Sequence, residues 1–515
     1  MKKADLSRRQ FMQITGLGAC TFAWHLRADA ALKPGKRKKP NILLIMSDEH
    51  NASVMGCAGN KIVQTPHLDH LAQDGVIFDS CYCNSPLCVP SRLSFTSGKY
   101  VSHVGAWNND CWLPSDDYPS VPHLLNSAGY ESFLCGKMHY DATRRYGFKE
   151  IGGEMNRATK TGHGERRDPD DLKADPGLSS RFKEFHTGDE SNVLEHDRAV
   201  TAGTVEFLQN RKTTDKPFFL LAGYIAPHFP LIVPEKYWEA YKGKVPMPVI
   251  PEGLLETLPL NYRHLRTGFN VVEVPEEIVR KGRELYYGFV QWLDEEIGKV
   301  LEALDAAGLA EDTVIMYTTD HGENMGEHGL WWKNCLYDSA ARVPLIVRWP
   351  KRWPGGQRRG GACSLVDVAK TVVRLGGART PRNWDGDSML EWLDDPDHRW
   401  KDRAVSEYYG HNIASGYAMI RMGQFKYVYH TKPDADHPAE RELYNLVADP
   451  GEFHNLAGQP EYAKRIASMH AALVKELGEE PDKTEQRCRA DYKKGYDRTG
   501  VRPKPKKRSK DSTRN

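Results

Sequence analysis

Five stretches of the chain are apolar almost without interruption: residues 41–47, 131–135, 217–224, 313–319 and 344–349. A strand with one face in water alternates apolar and polar residues, whereas a strand covered on both faces reads as a continuous apolar run. These runs therefore predict a buried sheet. Helical spacing of apolar residues fills the intervals at 67–74, 120–128, 197–210 and, as a long amphipathic segment, 275–307. Strands alternating with helices predict a doubly wound α/β fold with a mixed, mostly parallel sheet flanked by helices. In such sheets ligands bind beyond the carboxyl ends of the strands. Residues 155–195 are polar and charged with no period, which predicts a long surface insertion near the pocket.

The pattern changes after a loop-rich stretch at 376–385. Residues 404–408, 417–421 and 426–429 alternate as antiparallel strands do, 442–446 follows, and 460–477 has helical spacing. The expected division is thus a catalytic domain over 41–378 and a smaller C-terminal α+β subdomain over 379–480. A basic tail over 481–515 is expected to be disordered. Its stretch 502–510 carries six basic residues and two prolines.

The N-terminus reads as an address rather than as fold. Ser7-Arg8-Arg9-Gln10-Phe11-Met12 precedes a weakly apolar run at 14–24 and then Ala28-Asp29-Ala30. That is a twin-arginine signal with an A-x-A cleavage site, spanning 1–30, before a basic Pro/Gly linker at 31–40. The apolar run falls short of the ~20 residues that span a bilayer, so no transmembrane segment is expected. Leu17-Gly18-Ala19-Cys20 also resembles a lipoprotein box, leaving a lipid anchor at Cys20 or cleavage near Ala30. Either outcome places the mature protein outside the cytoplasm, periplasmic or extracellular.

Composition narrows the class. With 515 residues, 40% hydrophobic, 27% charged and a net charge of +2, the chain is globular and has no nucleic-acid footprint. Ten cysteines at this length are too few for a disulfide scaffold. The twin-arginine route exports folded proteins, so most are expected to be buried thiols.

The chemistry is concentrated at Pro86-Leu87-Cys88-Val89-Pro90-Ser91-Arg92-Leu93-Ser94-Phe95-Thr96-Ser97-Gly98 and at the strand ends. An ordinary thiol, with a pKa of about 8.5, is mostly protonated at neutral pH and so a weak nucleophile. Asp48 and Glu49 end the first run, and Asp320 and His321 end the run at 313–319. Carboxylates from two strand ends with one imidazole suit a divalent cation, Ca²⁺ by preference for oxygen donors, with Mn²⁺ or Mg²⁺ as alternatives. Gly136-Lys137-Met138-His139 follows 131–135, and Ala226-Pro227-His228-Phe229-Pro230 follows 217–224. Trp331-Trp332-Lys333-Asn334 lies just after the metal motif.

Cys88-x-Pro90-x-Arg92 resembles the signature of the type I, formylglycine-dependent sulfatases of the alkaline-phosphatase superfamily. The likeness runs motif by motif from about Asn41 to Leu456. Within that family the core resembles most the choline-sulfatase and phosphonate-monoester-hydrolase branch, through Cys83-Asn84-Ser85-Pro86-Leu87-Cys88, Asn109, Gly136-Lys137-Met138-His139 and the Asp-His pair at the metal. Sulfatases usually carry a second Asp where this chain has Glu49.

The resemblance implies oxidation of Cys88 by a formylglycine-generating maturation enzyme. It implies a metal held by Asp48, Asp320, His321 and residue 88, with Glu49 as a further ligand. Arg92, Lys137 and Lys333 would neutralise sulfate oxygens, Asn109 would contact one, His228 with Lys333 would protonate the leaving alcohol, and His139 would take the hydroxyl proton that releases sulfate. The expected activity is hydrolysis of a sulfate monoester, with a sulfated carbohydrate as substrate. The alternatives are a choline-sulfatase-like enzyme of small molecules, a phosphonate or phosphodiester hydrolase on the same scaffold, and a binding protein that has lost catalysis. The last predicts damaged motifs, and these are intact.

Overall fold

The computed structural model describes residues 39–153 and 166–495. The expected signal at 1–30 and the basic stretch 502–510 lie outside the described residues. The strands of the larger part are β1 (Asn41–Asp48), β2 (Val76–Tyr82), β3 (Glu131–Gly136), β4 (Lys149–Ile151), β5 (His186–Thr187), β6 (Phe218–Pro227), β7 (Ile232–Val233), β8 (Thr313–Thr319), β9 (Arg342–Val343), β10 (Leu345–Arg348) and β11 (Gln357–Ser364). β5 and β7 make a ladder of their own. The rest form one nine-stranded sheet in the order β11-β2-β10-β8-β1-β6-β3-β4, with β9 paired to β2.

The central pairs are parallel: β8 with β1, β1 with β6, β6 with β3. β10 runs antiparallel to both β2 and β8. Alternate side chains of β1 enter two separate cores, as the two-residue period of a strand requires. Ile42, Leu44 and Met46 pack with Leu93 and Phe95 of the helix Cys88–Ser97 and with Val368 and Val372 of Leu365–Leu375. Leu43 and Ile45 pack on the other side with Leu194 and Val200 of Asn192–Asn210 and with Leu285 and Leu293 of Glu276–Ala306. This is the helix-flanked, mostly parallel sheet that the apolar runs predict.

Register sets the site. Asp48 lies opposite Pro227, the residue before His228. Ser47 lies opposite Thr319, the residue before Asp320. Three strands therefore end level with one another, and β3 ends beside β6 with Gly136 opposite Gly223.

The C-terminal part is an antiparallel sheet of β12 (Arg403–Tyr408), β13 (Tyr417–Met422), β14 (Phe425–His430) and β15 (Glu440–Asn445), in that order. The helix Ala463–Leu477 covers it through Met469, Leu473 and Leu477. One expectation needs correction here. The segment assigned to a disordered tail from residue 481 begins as a helix, Pro481–Lys494, with Thr484, Glu485 and Cys488 buried. Glu485 forms a two-bonded ion pair with Arg166, both N–O distances 2.8 Å. Buried charge, rather than an apolar stripe, holds this helix down.

The described part of the predicted insertion, 166–195, is mostly irregular up to residue 191, and its last residues already belong to the helix Asn192–Asn210. It turns inward at the short helical segment Ser180–Glu184, where Phe182 and Phe185 are buried against Trp331. Among the described residues no helix is long and apolar enough to cross a membrane.

Candidate active site

Cys88 is the first residue of the helix Cys88–Ser97, every residue of which is buried. Pro90 occupies the first turn, where a missing N–H breaks no intrahelical bond. Arg92 lies four residues on, and residues i and i+4 share a helix face. The Cys-x-Pro-x-Arg spacing thus sets thiol and guanidinium side by side at a helix N-terminus, whose partial positive charge favours an anion.

Arg92 ties the strand ends together. Its Nη2 donates to Asp48 Oδ2 (3.0 Å) and to the Ser47 carbonyl (3.1 Å), and its Nε donates to Asp320 Oδ2 (2.8 Å). Nη1 reaches the Lys137 carbonyl at 2.8 Å, and Lys137 Nζ lies 2.5 Å from Asp48 Oδ2. Removing one partner of such a buried pair typically costs about 3–5 kcal/mol. Burial alone would raise Asp48, but Lys137, His228, Arg92 and Lys333 together hold it well below the usual carboxylate range.

Donor atoms of Asp48, Cys88, Asp320 and His321 all lie within 4.8 Å of one another, and all four residues are buried. His321 Nδ1 donates to the Gly322 carbonyl (3.0 Å), which leaves Nε2 as the ligand atom, 3.3 Å from Cys88 Sγ. Burial and the neighbouring Asp48 raise Asp320 against the pull of Arg92. Two carboxylates and an imidazole at one point suit a hard divalent ion.

Glu49 belongs to a second donor group, with Asp48 and His228, whose ligand atoms also lie within 4.8 Å of one another. Its backbone is left-handed, φ 65°, and its carboxylate turns to Lys333 Nζ (3.4 Å) and His228 Nε2 (3.3 Å). Burial, Glu323 and Asp48 push Glu49 well above the carboxylate range, against Lys333. Its carboxylate thus faces the Lys333–His228 pair while lying close to Asp48, which the two donor groups share.

Lys333 Nζ lies 2.8 Å from His228 Nε2 and 3.4 Å from Cys88 Sγ. His228 Nδ1 donates to the Phe229 carbonyl at 2.5 Å, so Nε2 accepts from the ammonium. Burial, then Lys333, pulls His228 down to about 4, while the anionic groups around Lys333 raise it against burial. The mobile proton of this pair therefore resides on Lys333. The Cys88 thiol, raised by burial and Asp48, is pulled well below its ordinary value by Lys333, Lys137 and His321.

Two predicted residues sit at the margin. Asn109 Oδ1 accepts the Val89 N–H (3.0 Å), securing the first turn behind Cys88. His139 follows Lys137 with φ 57°, and its buried Nδ1 has no hydrogen-bond partner. Several supporting residues escape motif reading. Asp197 accepts the N–H groups of Ile225 (2.8 Å) and Ala226 (2.7 Å), fixing the strand end before His228. Glu323 Oε1 accepts those of Met325 (2.8 Å) and Trp332 (2.7 Å), fixing the loop of Lys333. Tyr286 donates to the Glu49 carbonyl (2.6 Å).

Family models match this architecture twice: "Sulfatase" over residues 40–378, and "N-sulphoglucosamine sulphohydrolase, C-terminal" over 326–479. The chain is 29% identical over 455 residues to the choline-sulfatase of Rhizobium meliloti, covering 82% of this chain and 83% of that protein. It is 28% identical over 509 residues to the N-acetylglucosamine-6-O-sulfatase of Bacteroides thetaiotaomicron, covering 85% and 86%. The crystal structure of the phosphonate monoester hydrolase of Agrobacterium radiobacter superposes with a TM-score of 0.68 over 85% of this chain and 96% of that one, at 22% identity, a likeness of fold. The first of these models spans about two thirds of the sequence and ends where the Cys88 helix, the three strand ends and Lys333 have all been accounted for. The chain belongs to the sulfatase family, as a type I sulfatase of the alkaline-phosphatase superfamily and a sulfuric ester hydrolase.

Proposed function

We propose that this protein hydrolyses a sulfate monoester of a sulfated carbohydrate, using formylglycine made from Cys88 and one divalent cation. The observation that carries the reading is the position of Cys88 Sγ between two sets of groups. Asp48 Oδ1 and His321 Nε2 approach on one side, at 3.7 and 3.3 Å, and Lys333 Nζ is 3.4 Å away. Asp48, Asp320, His321 and the group at 88 would hold the cation, with Glu49 as a further ligand beside Asp48, Ca²⁺ first and Mn²⁺ or Mg²⁺ otherwise. Formed and bound, the formylglycine hydrate supplies the attacking hydroxyl and the cation supplies positive charge beside the sulfate.

The chain's own groups do the rest. Lys137, Lys333 and the helix N-terminus offset the negative charge of the sulfate oxygens, a stabilisation that is large in a dry site. Arg92 positions Asp48 and Asp320. The side-chain N–H₂ of Asn109, whose Oδ1 is already engaged, contacts a sulfate oxygen. Lys333, with His228 beside it, delivers the proton to the leaving alcohol. His139, two residues beyond Lys137, is the base that releases sulfate. The sugar reading draws support from the 28%-identical relative whose name specifies an N-acetylglucosamine sulfate ester. The sequence organisation adds twin-arginine export, a catalytic domain over 41–378 and a C-terminal subdomain from 379.

Two measurements test this. Peptide mass spectrometry of active protein should show oxygen in place of sulfur and two fewer hydrogens at residue 88. Sulfate release from defined sulfated saccharides should exceed turnover of phosphonate monoesters and phosphate diesters assayed in parallel. Full activity with an intact thiol, or preference for phosphorus, overturns the reading.

A further inference from the structure

Every other Lys or Arg of the site has a carboxyl partner: Arg92 holds Asp48 and Asp320, Lys137 holds Asp48, and Lys333 meets Glu49. Arg181 does not. Its guanidinium carbon lies 4.2 Å from the ring centre of Phe229, 4.5 Å from Trp332 and 5.3 Å from Phe269. Among the described residues it makes no hydrogen bond and no ion pair. An arginine carries five N–H donors, and at this partly exposed side chain they have no protein acceptor among the described residues, so an anion of a ligand can meet them in place of water.

The side chain is also held in place. Arg181 belongs to Ser180–Glu184, which Phe182 and Phe185 anchor against Trp331 and Trp332 at centroid distances of 5.2–5.7 Å. Its platform is part of the catalytic loops. Phe229 follows His228 and stacks on it at 4.3 Å, and Trp332 precedes Lys333. Burial draws Arg181 below the usual arginine value while Glu49, Glu323 and Cys88 act on it from the site. The guanidinium and the Lys333 ammonium both approach the ring of Phe229, at 4.2 and 5.7 Å from its centre.

We propose that Arg181, seated among the rings of Phe229, Trp332 and Phe269, binds a second anionic group of the substrate, a carboxylate or a further sulfate on the sugar unit next to the scissile ester. The inference rests on the carbohydrate reading above and narrows it to polyanionic saccharides. It also disfavours choline sulfate, because Arg181 already covers aromatic faces that would otherwise receive a quaternary ammonium. A planar guanidinium can grip either anion with two parallel hydrogen bonds.

The test compares wild type, Arg181→Gln and Arg181→Lys on 4-nitrophenyl sulfate, choline sulfate, a sulfated disaccharide bearing a uronate, its methyl ester, and a disulfated disaccharide. The ratio of kcat/KM for the uronate or disulfated substrate to that for 4-nitrophenyl sulfate should fall about 10- to 100-fold in Arg181→Gln, the range of a charge-assisted pair. Arg181→Lys should recover part of it. Esterification should cause the same loss in wild type and little further loss in Arg181→Gln if the ligand is a carboxylate. If the ligand is a sulfate, only the disulfated substrate responds to the variant. Equal losses on every substrate, or a wild type indifferent to both charges, overturns the proposal. Should wild type cleave 4-nitrophenyl sulfate but no saccharide, the carbohydrate reading fails on its own. The same disaccharides then serve as inhibitors, and inhibition constants unchanged by Arg181→Gln sink the role of Arg181 separately.

Discussion

Lys333→Ala separates proton delivery from the other work of the site. Lys333 Nζ lies 2.8 Å from His228 Nε2 and 3.4 Å from Cys88 Sγ, so truncation removes a positive charge and a proton donor together. The lost charge affects every sulfate ester alike, since all bring the same oxygens. The lost proton does not. A nitrophenolate departs unaided, whereas a sugar alkoxide must be protonated as it leaves. General acid catalysis contributes about 10²–10⁴-fold. The ratio of kcat/KM for an alkyl or sugar sulfate to that for 4-nitrophenyl sulfate should therefore drop about 10³-fold, about 4 kcal/mol.

The variant should still fold. Glu49, already raised by burial and by Glu323 and Asp48, takes up a proton instead of standing as a bare charge. The assay is a series of aryl and alkyl sulfates spanning leaving-group pKa, with log kcat/KM plotted for wild type and variant. A steeper line for Lys333→Ala supports the assignment. Parallel lines would show that Lys333 acts only as a charge and that the proton comes from elsewhere.

Chelation should abolish turnover and lower thermal stability together. A ligand at 100 times its Kd adds about 2.7 kcal/mol to the folded state, so dialysis against EDTA should depress Tm by several degrees. Full activity without stoichiometric divalent metal by elemental analysis would refute the metal site. The His103–Asp385 contact predicts a pH effect. Burial lowers the imidazole, but the Asp385 carboxylate 2.7 Å away carries it up to about 9. A raised imidazole stabilises fully below its unfolded value near 6.5, and the contribution disappears as pH rises through about 9. With the ring partly exposed, the loss should be on the order of 1–2 kcal/mol. Denaturation at pH 6 and pH 10 should show it in wild type and not in His103→Gln.

Much of the site was legible because its logic is local. Cys88 and Arg92 share a helix face by spacing alone, and Asp48, Asp320 and His321 announce themselves by following apolar strands. The orientation of Glu49 was not legible, since it depends on a left-handed backbone and on Lys333 arriving from 284 residues away. Asp197, Glu323 and Tyr286 act through backbone groups that no sequence pattern pairs with them. Among the strands, β2 hid because Asp79 and Ser80 interrupt its apolar run. β11 hid because an edge strand that opens Gln357-Arg358-Arg359-Gly360-Gly361 has little to bury. The helix Pro481–Lys494 was missed for a related reason. Its seat is the Arg166–Glu485 ion pair, and apolar periodicity does not register a buried charge.

The complete burial of the Cys88 helix has a consequence for timing. Cys88 is 2% exposed and Arg92 is not exposed at all, locked between two aspartates. On the proposed maturation of Cys88, an oxidising enzyme that reads the cysteine, the proline and the arginine finds none of them on the finished surface. Maturation then competes with folding, and the window closes once the strand ends clamp the guanidinium. Protein produced without the maturation enzyme would stay inert when the enzyme is added later, unless it is first unfolded.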